Sequence, residues 1–120
     1  MSEFTRKPLT SDEINQRLDL TCLLVGIVVR DNLLTDLKSV YLFGSLARGE
    51  GHVGSDVDLA FGVERSLPFT KNGYLEDSDL LLKSINLYRD SLNIPYPVKP
   101  TLIEVTWYFK HKIVLYTQAL

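Results

Sequence analysis

The feature that most constrains the fold is a glycine-rich turn between two short apolar runs, each with the composition of a buried strand. The first run, Ser39–Phe43, is rich in strand-forming residues and stops at Gly44. The second run, Asp56–Val63, alternates. One face carries Val57, Leu59 and Phe61, and the other carries Asp56, Asp58 and Ala60. Further glycines interrupt the segment between the runs. This arrangement predicts two strands of a small sheet, with a polar turn at one end.

Two longer segments have apolar residues at helical steps of three and four. The first begins at Ser11, which can cap a helix with an acidic first turn, and its pattern runs to Leu33. Its wide apolar surface predicts cover on more than one side. The second segment is capped by Asp77 or Ser78 and extends to Leu92. Both patterns are longer than a typical strand, so we expect two helices.

The rest of the chain supplies a third strand and the connections. Alternation over Thr101–Trp107 predicts that strand, and the three prolines in 93–100 predict a rigid loop before it. A loop is expected at 64–76 and a loose arm at 1–10. The segment 109–120 is ambiguous, and we assign it to a terminal helix. The order of elements predicts an α+β fold in which helices cover a small sheet.

Composition narrows the class of protein. The 120 residues are enough for one domain, which we expect to span 1–120. A net charge of −2 gives no reason to expect binding to nucleic acid or to an anionic membrane. Cys22 is the only cysteine and is expected to be buried; no internal disulfide can form, which fits a cytoplasmic protein. The apolar run Leu20–Val29 is too short to span a bilayer, and the N-terminus does not have the pattern of a secretory signal.

The paired aspartates predict a metal site beside a phosphate-binding turn. Side chains at i and i+2 of a strand point to the same face, so Asp56 and Asp58 can both reach one or two divalent cations, and Mg²⁺ favours such carboxylates. Gly44 lets a phosphate approach the backbone closely, and Ser45 adds a hydroxyl and an N–H. Arg48, on the same turn, can donate to phosphate oxygens. If residues 45–50 began a helix, its N-terminus would favour the phosphate further.

Glu104 is the candidate for a third carboxylate at this site. It lies among apolar residues of the predicted third strand, where an uncompensated charge would be costly. A role as metal ligand or proton acceptor would explain its presence. A solvated face, or pairing with a lysine, would explain it as well.

The spacing of these residues resembles a known signature. Gly44-Ser45, ten further residues and Asp56-Val-Asp58 are similar to the motif of the DNA polymerase β-like nucleotidyltransferase superfamily. The fuller pattern over 43–59 resembles its minimal nucleotidyltransferase (MNT) branch. The resemblance implies a mixed sheet flanked by helices, and transfer of a nucleoside monophosphate from a nucleoside triphosphate. It implies Mg²⁺ on Asp56 and Asp58, triphosphate at Gly44 and Ser45, and Glu104 in the third acidic position.

The same resemblance implies a partner. Many MNT proteins are antitoxins paired with a HEPN-type toxin, and some of them add AMP to a tyrosine of that partner. The leading hypothesis is therefore Mg²⁺-dependent transfer of AMP from ATP to a protein hydroxyl. An antitoxin that neutralises its partner by binding alone is the second hypothesis, and an antibiotic nucleotidyltransferase is the third. No motif identifies the acceptor, and the sequence leaves oligomerisation open.

Overall fold

The structure is a computed structural model that describes residues 7–34, 36–64, 78–105 and 110–118. The elements are α1 Ser11–Arg30, β1 Leu37–Phe43, α2 Gly44–Ala47, β2 Val57–Val63, α3 Ser78–Ser91, β3 Val98–Glu104 and β4 Ile113–Thr117. The strands form one sheet in the order β3-β2-β1-β4. β1 is antiparallel to β2 and β4, whereas β2 and β3 are parallel. The predicted α+β class, with a small mixed sheet and helices, is confirmed.

A capping box fixes the start of α1. The Thr10 hydroxyl accepts from the Glu13 N–H at 3.2 Å, and the Glu13 carboxylate accepts from the Thr10 N–H at 3.0 Å. The cap is therefore Thr10, one residue before the predicted Ser11. The sequence pattern located the helix correctly, but several polar residues in succession could have served as its cap.

The core lies between the two long helices and one face of the sheet. The fully buried side chains of this layer come from α1, α3 and the strands β1, β2 and β3; they include Leu24, Val28, Val40, Leu42, Leu59, Phe61, Ile85 and Leu102. On β2, Leu59 and Phe61 face the core, so the alternation places Asp58 on the other face. The helices thus stabilise the sheet from the side opposite to the aspartates.

Within the described part of the chain, α1 packs against the rest of the protein on one side only. Cys22 and Leu23 are exposed, whereas Leu24 and Val25 are buried. The expectations of wider cover for this helix and of a buried Cys22 are therefore wrong. In the described part of the chain, no helix is both long and apolar enough to cross a membrane.

β3 begins earlier than its sequence pattern predicted. It spans Val98–Glu104 rather than 101–107, and it contains Pro100. It forms one edge of the sheet, and an edge strand tolerates proline because half of its N–H groups point away from its neighbour. The last residues of the predicted strand, 106–107, lie outside the described residues.

Both ends of the described chain form backbone hydrogen bonds with other segments of the protein. Residues 113–117 form β4 against β1, not the predicted terminal helix. Near the other end, the Leu9 N–H donates to the Gly51 carbonyl at 3.1 Å, and the Val53 N–H donates to the Lys7 carbonyl at 3.0 Å. Residues 7–10 therefore pack on the glycine-rich turn instead of forming a loose arm, and residues 1–6 of the predicted arm lie outside the described residues. Apart from Glu64, the predicted loop at 64–76 lies outside the described residues.

Candidate active site

The turn after β1 lies directly against the second aspartate. β1 ends at Phe43, which pairs with Asp58 across the β1–β2 ladder. Gly44 follows with φ +76°, a conformation that side chains other than glycine rarely adopt. A Cβ atom added to Gly44 would collide with the Asp58 carboxylate. The local geometry therefore requires glycine here, and it brings open backbone and a carboxylate together.

The Ser45 side chain lies beside the segment that leads into β2. A Cβ atom added to Gly51 would lie 3.2 Å from the Ser45 Oγ and 3.6 Å from the Ser55 Oγ. The Ser55 hydroxyl also accepts from the His52 N–H at 3.0 Å. The absence of a side chain at Gly51 thus lets the Ser45 and Ser55 hydroxyls both lie close to this turn.

The two aspartates act on each other. Asp56 is exposed just before β2, and Asp58 is half-buried within it. The pKa of Asp58 is raised above its ordinary value by burial and, secondarily, by the negative charge of Asp56. Lys99 and Arg48 oppose this rise in the pKa of Asp58, so their positive charges also reach the site. A bound cation would relieve the repulsion between the carboxylates.

The structure does not bring Glu104 to the pair. β3 runs parallel to β2, and Glu104 lies opposite Val63, whereas Lys99 lies opposite Asp58. Glu104 lies five positions beyond Lys99, which is roughly 16 Å along the strand. Glu104 also falls on the other face of β3 by alternation. The residue that β3 contributes beside Asp58 is therefore a lysine.

Arg48 lies close enough to Asp58 for its positive charge to act on that carboxylate, and only a weak ion pair holds the Arg48 side chain. It caps the C-terminus of α2, and its Nε donates to the Glu50 carboxylate at 3.4 Å, with both side chains exposed. Such surface pairs contribute about 0–1 kcal/mol. α2 itself is a single turn of four residues, so it offers backbone N–H groups to an anion rather than an extended helix dipole.

Arg17 is a residue of the site that the sequence analysis missed. Its guanidinium donates to the Ser55 carbonyl at 3.2 Å and to the Val53 carbonyl at 3.0 Å. It also stacks over the Tyr96 ring, 4.3 Å from the centroid, and burial lowers its pKa. Arg17 therefore attaches α1 to the loop that precedes Asp56.

The position of Arg17 in the helical pattern could have identified it from the sequence. It stands four residues before Thr21 and seven before Leu24, both of which are buried, so it lies on the inward stripe of α1. A charged residue at such a position requires partners for its N–H groups. That requirement indicates a structural role, although the pattern does not name the loop that meets it.

The donor set fits one Mg²⁺ ion. The charge of Asp56 reaches Asp58, and Asp56 is exposed to solvent. Mg²⁺ usually takes one or two carboxylates from a protein and completes its shell with water and phosphate oxygens. Among the described residues, no group of three or more His, Cys, Asp or Glu side chains is placed to hold a metal ion. The predicted third carboxylate is thus not supplied by this part of the chain.

Comparisons with known proteins give a family match and a fold match. The sequence model of the family described as "Nucleotidyltransferase domain" matches residues 22–119. The crystal structure of a candidate nucleotidyltransferase from Sulfolobus solfataricus superposes with a TM-score of 0.54, covering 90% of this chain and 87% of that one. The two sequences are 22% identical, so this likeness concerns the fold. No curated protein matches the chain.

Proposed function

The chain belongs to the nucleotidyltransferase domain family, and we propose that it transfers AMP from ATP to a hydroxyl group of a partner protein. The observation that carries this proposal is the contact between the Gly44 turn and Asp58, with Asp56 beside it. Open backbone for a phosphate and carboxylates for its counter-ion thus meet at one end of the sheet. The resemblance to minimal nucleotidyltransferases favours a HEPN-type toxin as the partner.

Each residue of the site has a role in this reaction. Asp56 and Asp58 would hold Mg²⁺, which when bound neutralises phosphate charge and so assists displacement of pyrophosphate. Gly44 leaves room for the triphosphate at the backbone, and the Ser45 hydroxyl can donate to a phosphate oxygen. Arg48 can exchange its weak partner for phosphate. The oxygen of the acceptor hydroxyl bonds to the α-phosphorus as the bond to pyrophosphate breaks, and the hydroxyl proton passes to solvent water.

Exposure of the site supports a large acceptor. The side chains of Asp56, Arg48 and Lys99 are all exposed, so the phosphate end of a bound nucleotide would lie at the surface. A tyrosine or serine on the surface of another protein could approach it without entering a deep pocket. The partner would then supply the contacts that select the acceptor.

Transfer of label tests the proposal. The purified chain is incubated with the product of the adjacent gene, Mg²⁺, and ATP labelled at either the α- or the γ-phosphate. We expect the partner to gain label from the α-position only. Asp56→Asn should abolish the transfer, because it removes a proposed metal ligand. Asp90→Asn changes an exposed aspartate on α3 and serves as the matched control. Equal labelling by both variants, or none by the folded wild-type chain, would contradict the proposal.

A second candidate function, neutralisation of the partner by binding alone, is favoured by one observation. β3 brings Lys99 to Asp58 and leaves Glu104 at the far end of the sheet, so fewer carboxylates meet a metal ion than the resemblance implies. Co-expression with the toxin separates the two functions. Asp58→Ala should abolish protection if AMP transfer neutralises the toxin, and should leave protection intact if binding does.

A further inference from the structure

The register of β3 decides which of its residues can enter the site. β2 and β3 are parallel, and Asp58 pairs with Lys99, whereas Ala60 pairs with Thr101. Paired residues of neighbouring strands share a face, so Lys99 is the β3 residue nearest to Asp58 on the face of the sheet that carries the Asp58 carboxylate. Any ligand that β3 contributes at this level of the sheet is therefore an ammonium group.

Lys99 lies beside Asp58, and its ammonium group is open to a ligand. Lys99 pairs with Asp58 in the β2–β3 ladder, so the two residues lie on neighbouring strands at the same level of the sheet. The Lys99 side chain is exposed, and no described residue takes it in an ion pair. Lysine is a mobile point charge on a long stem and is well suited to phosphate. Lys99 and Asp58 thus share one face of the sheet, at the end where the Gly44 turn meets the Asp58 carboxylate.

We propose that Lys99 binds the phosphates of the nucleotide, occupying the position from which a third carboxylate would hold a further cation. This inference rests on the proposed function, since it names a substrate contact at that site. The site then neutralises the triphosphate with the cation on Asp56 and Asp58 and with two side-chain cations, Lys99 and Arg48. Nucleotide binding consequently depends less on divalent metal than a three-carboxylate site would require.

Calorimetric titration with ATP, in Mg²⁺ and in EDTA, tests this role without relying on activity. Lys99→Met should weaken ATP binding about tenfold in EDTA, the size expected for loss of one charge-assisted contact. Lys99→Arg should retain most of the affinity. Lys83→Met removes an exposed lysine from α3 and should leave the affinity unchanged. ATP affinity that is equal in Lys99→Met and wild type would overturn the inference.

A second measurement uses the metal alone. Lys99→Glu adds a carboxylate beside Asp58, so we expect Mn²⁺ to bind several-fold more tightly to this nucleotide-free variant than to wild type, as followed by electron paramagnetic resonance. Lys83→Glu has the same change in net charge and should bind Mn²⁺ as wild type does. An equal gain in both variants would contradict the placement of Lys99.

These results separate two failures. A wild-type chain that binds ATP and labels its partner, with Lys99→Met unchanged in both, refutes the role of Lys99 and leaves the proposed function standing. A folded wild-type chain that binds no ATP under either condition refutes both.

Discussion

At the scale of single residues, Gly44 is the position where sequence and site geometry are most tightly linked. Gly44 and Gly49 have almost the same φ, +76° and +72°, but only a Cβ atom at Gly44 would meet another group, the Asp58 carboxylate. Gly49→Ala should therefore lose only the roughly 1–2 kcal/mol of left-handed strain. Gly44→Ala should lose more, and should also lose ATP binding. Urea denaturation and calorimetry measure the two effects; equal losses in both variants would show that the contact with Asp58 is unimportant.

The raised pKa of Asp58 predicts that this residue's contribution to the stability of the metal-free protein falls as pH rises. Because burial and Asp56 raise the pKa of Asp58 in the folded state, the folded chain binds more protons than the unfolded chain between the ordinary aspartate pKa and the raised one. This group's contribution to stability therefore falls as pH rises through that window, and stays low above it.

Asp58→Asn removes that contribution. We expect the variant to be more stable than the metal-free wild type at pH 7, with the difference disappearing below the ordinary aspartate pKa. Urea denaturation in EDTA at a series of pH values measures this. Addition of Mg²⁺ should stabilise wild type more than the variant. A variant that is less stable than wild type at pH 7 would show that its charge is already compensated.

At the scale of elements, Arg17 couples a helix to the loop before β2. Arg17→Met keeps much of the apolar stem over Tyr96 but leaves the Val53 and Ser55 carbonyls without their donors. We expect a loss of about 2 kcal/mol in the free energy of unfolding. Mn²⁺ affinity should fall as well, because Arg17 positions the segment that leads into Asp56.

The matched control for Arg17 is on the same helix. Arg30 pairs with Asp31 at 3.0 Å, and its side chain is 72% exposed. Arg30→Met should therefore leave the free energy of unfolding nearly unchanged and leave Mn²⁺ affinity unaltered. If the two variants lost equal stability, or if Mn²⁺ affinity survived in Arg17→Met, Arg17 would have no positioning role.

The elements also show which parts of the site a sequence can predict. Asp56 and Asp58 are two residues apart, and Gly44 immediately ends a strand, so local spacing alone predicts their common face and the tight turn. The choice between Lys99 and Glu104 depends on the register of β3 against β2. That register pairs residues about 40 positions apart in the sequence. The alternation of apolar and polar residues within β3 does not reveal whether Lys99 or Glu104 lies opposite Asp58. β4 was missed for the same reason, since its pairing with β1 is entirely non-local.

At the scale of the whole molecule, the fold separates stability from chemistry. Both long helices cover the face of the sheet that carries Leu59 and Phe61, and the aspartates lie at one end of the opposite face. A substitution in the helix-covered core should therefore lower stability without altering the site of the folded protein.

Neighbouring leucines on α1 test this separation. Leu24 is fully buried and Leu23 is 51% exposed. Leu24→Ala should lower the free energy of unfolding by about 2–5 kcal/mol, because it removes buried methyl groups and leaves a cavity. Leu23→Ala should change it by less than about 0.5 kcal/mol. Both folded variants should bind ATP as wild type does, by calorimetry at a temperature where each is native. Comparable destabilisation by the two substitutions would mean that the exposed side of α1 is also covered, and the one-sided arrangement would then be wrong.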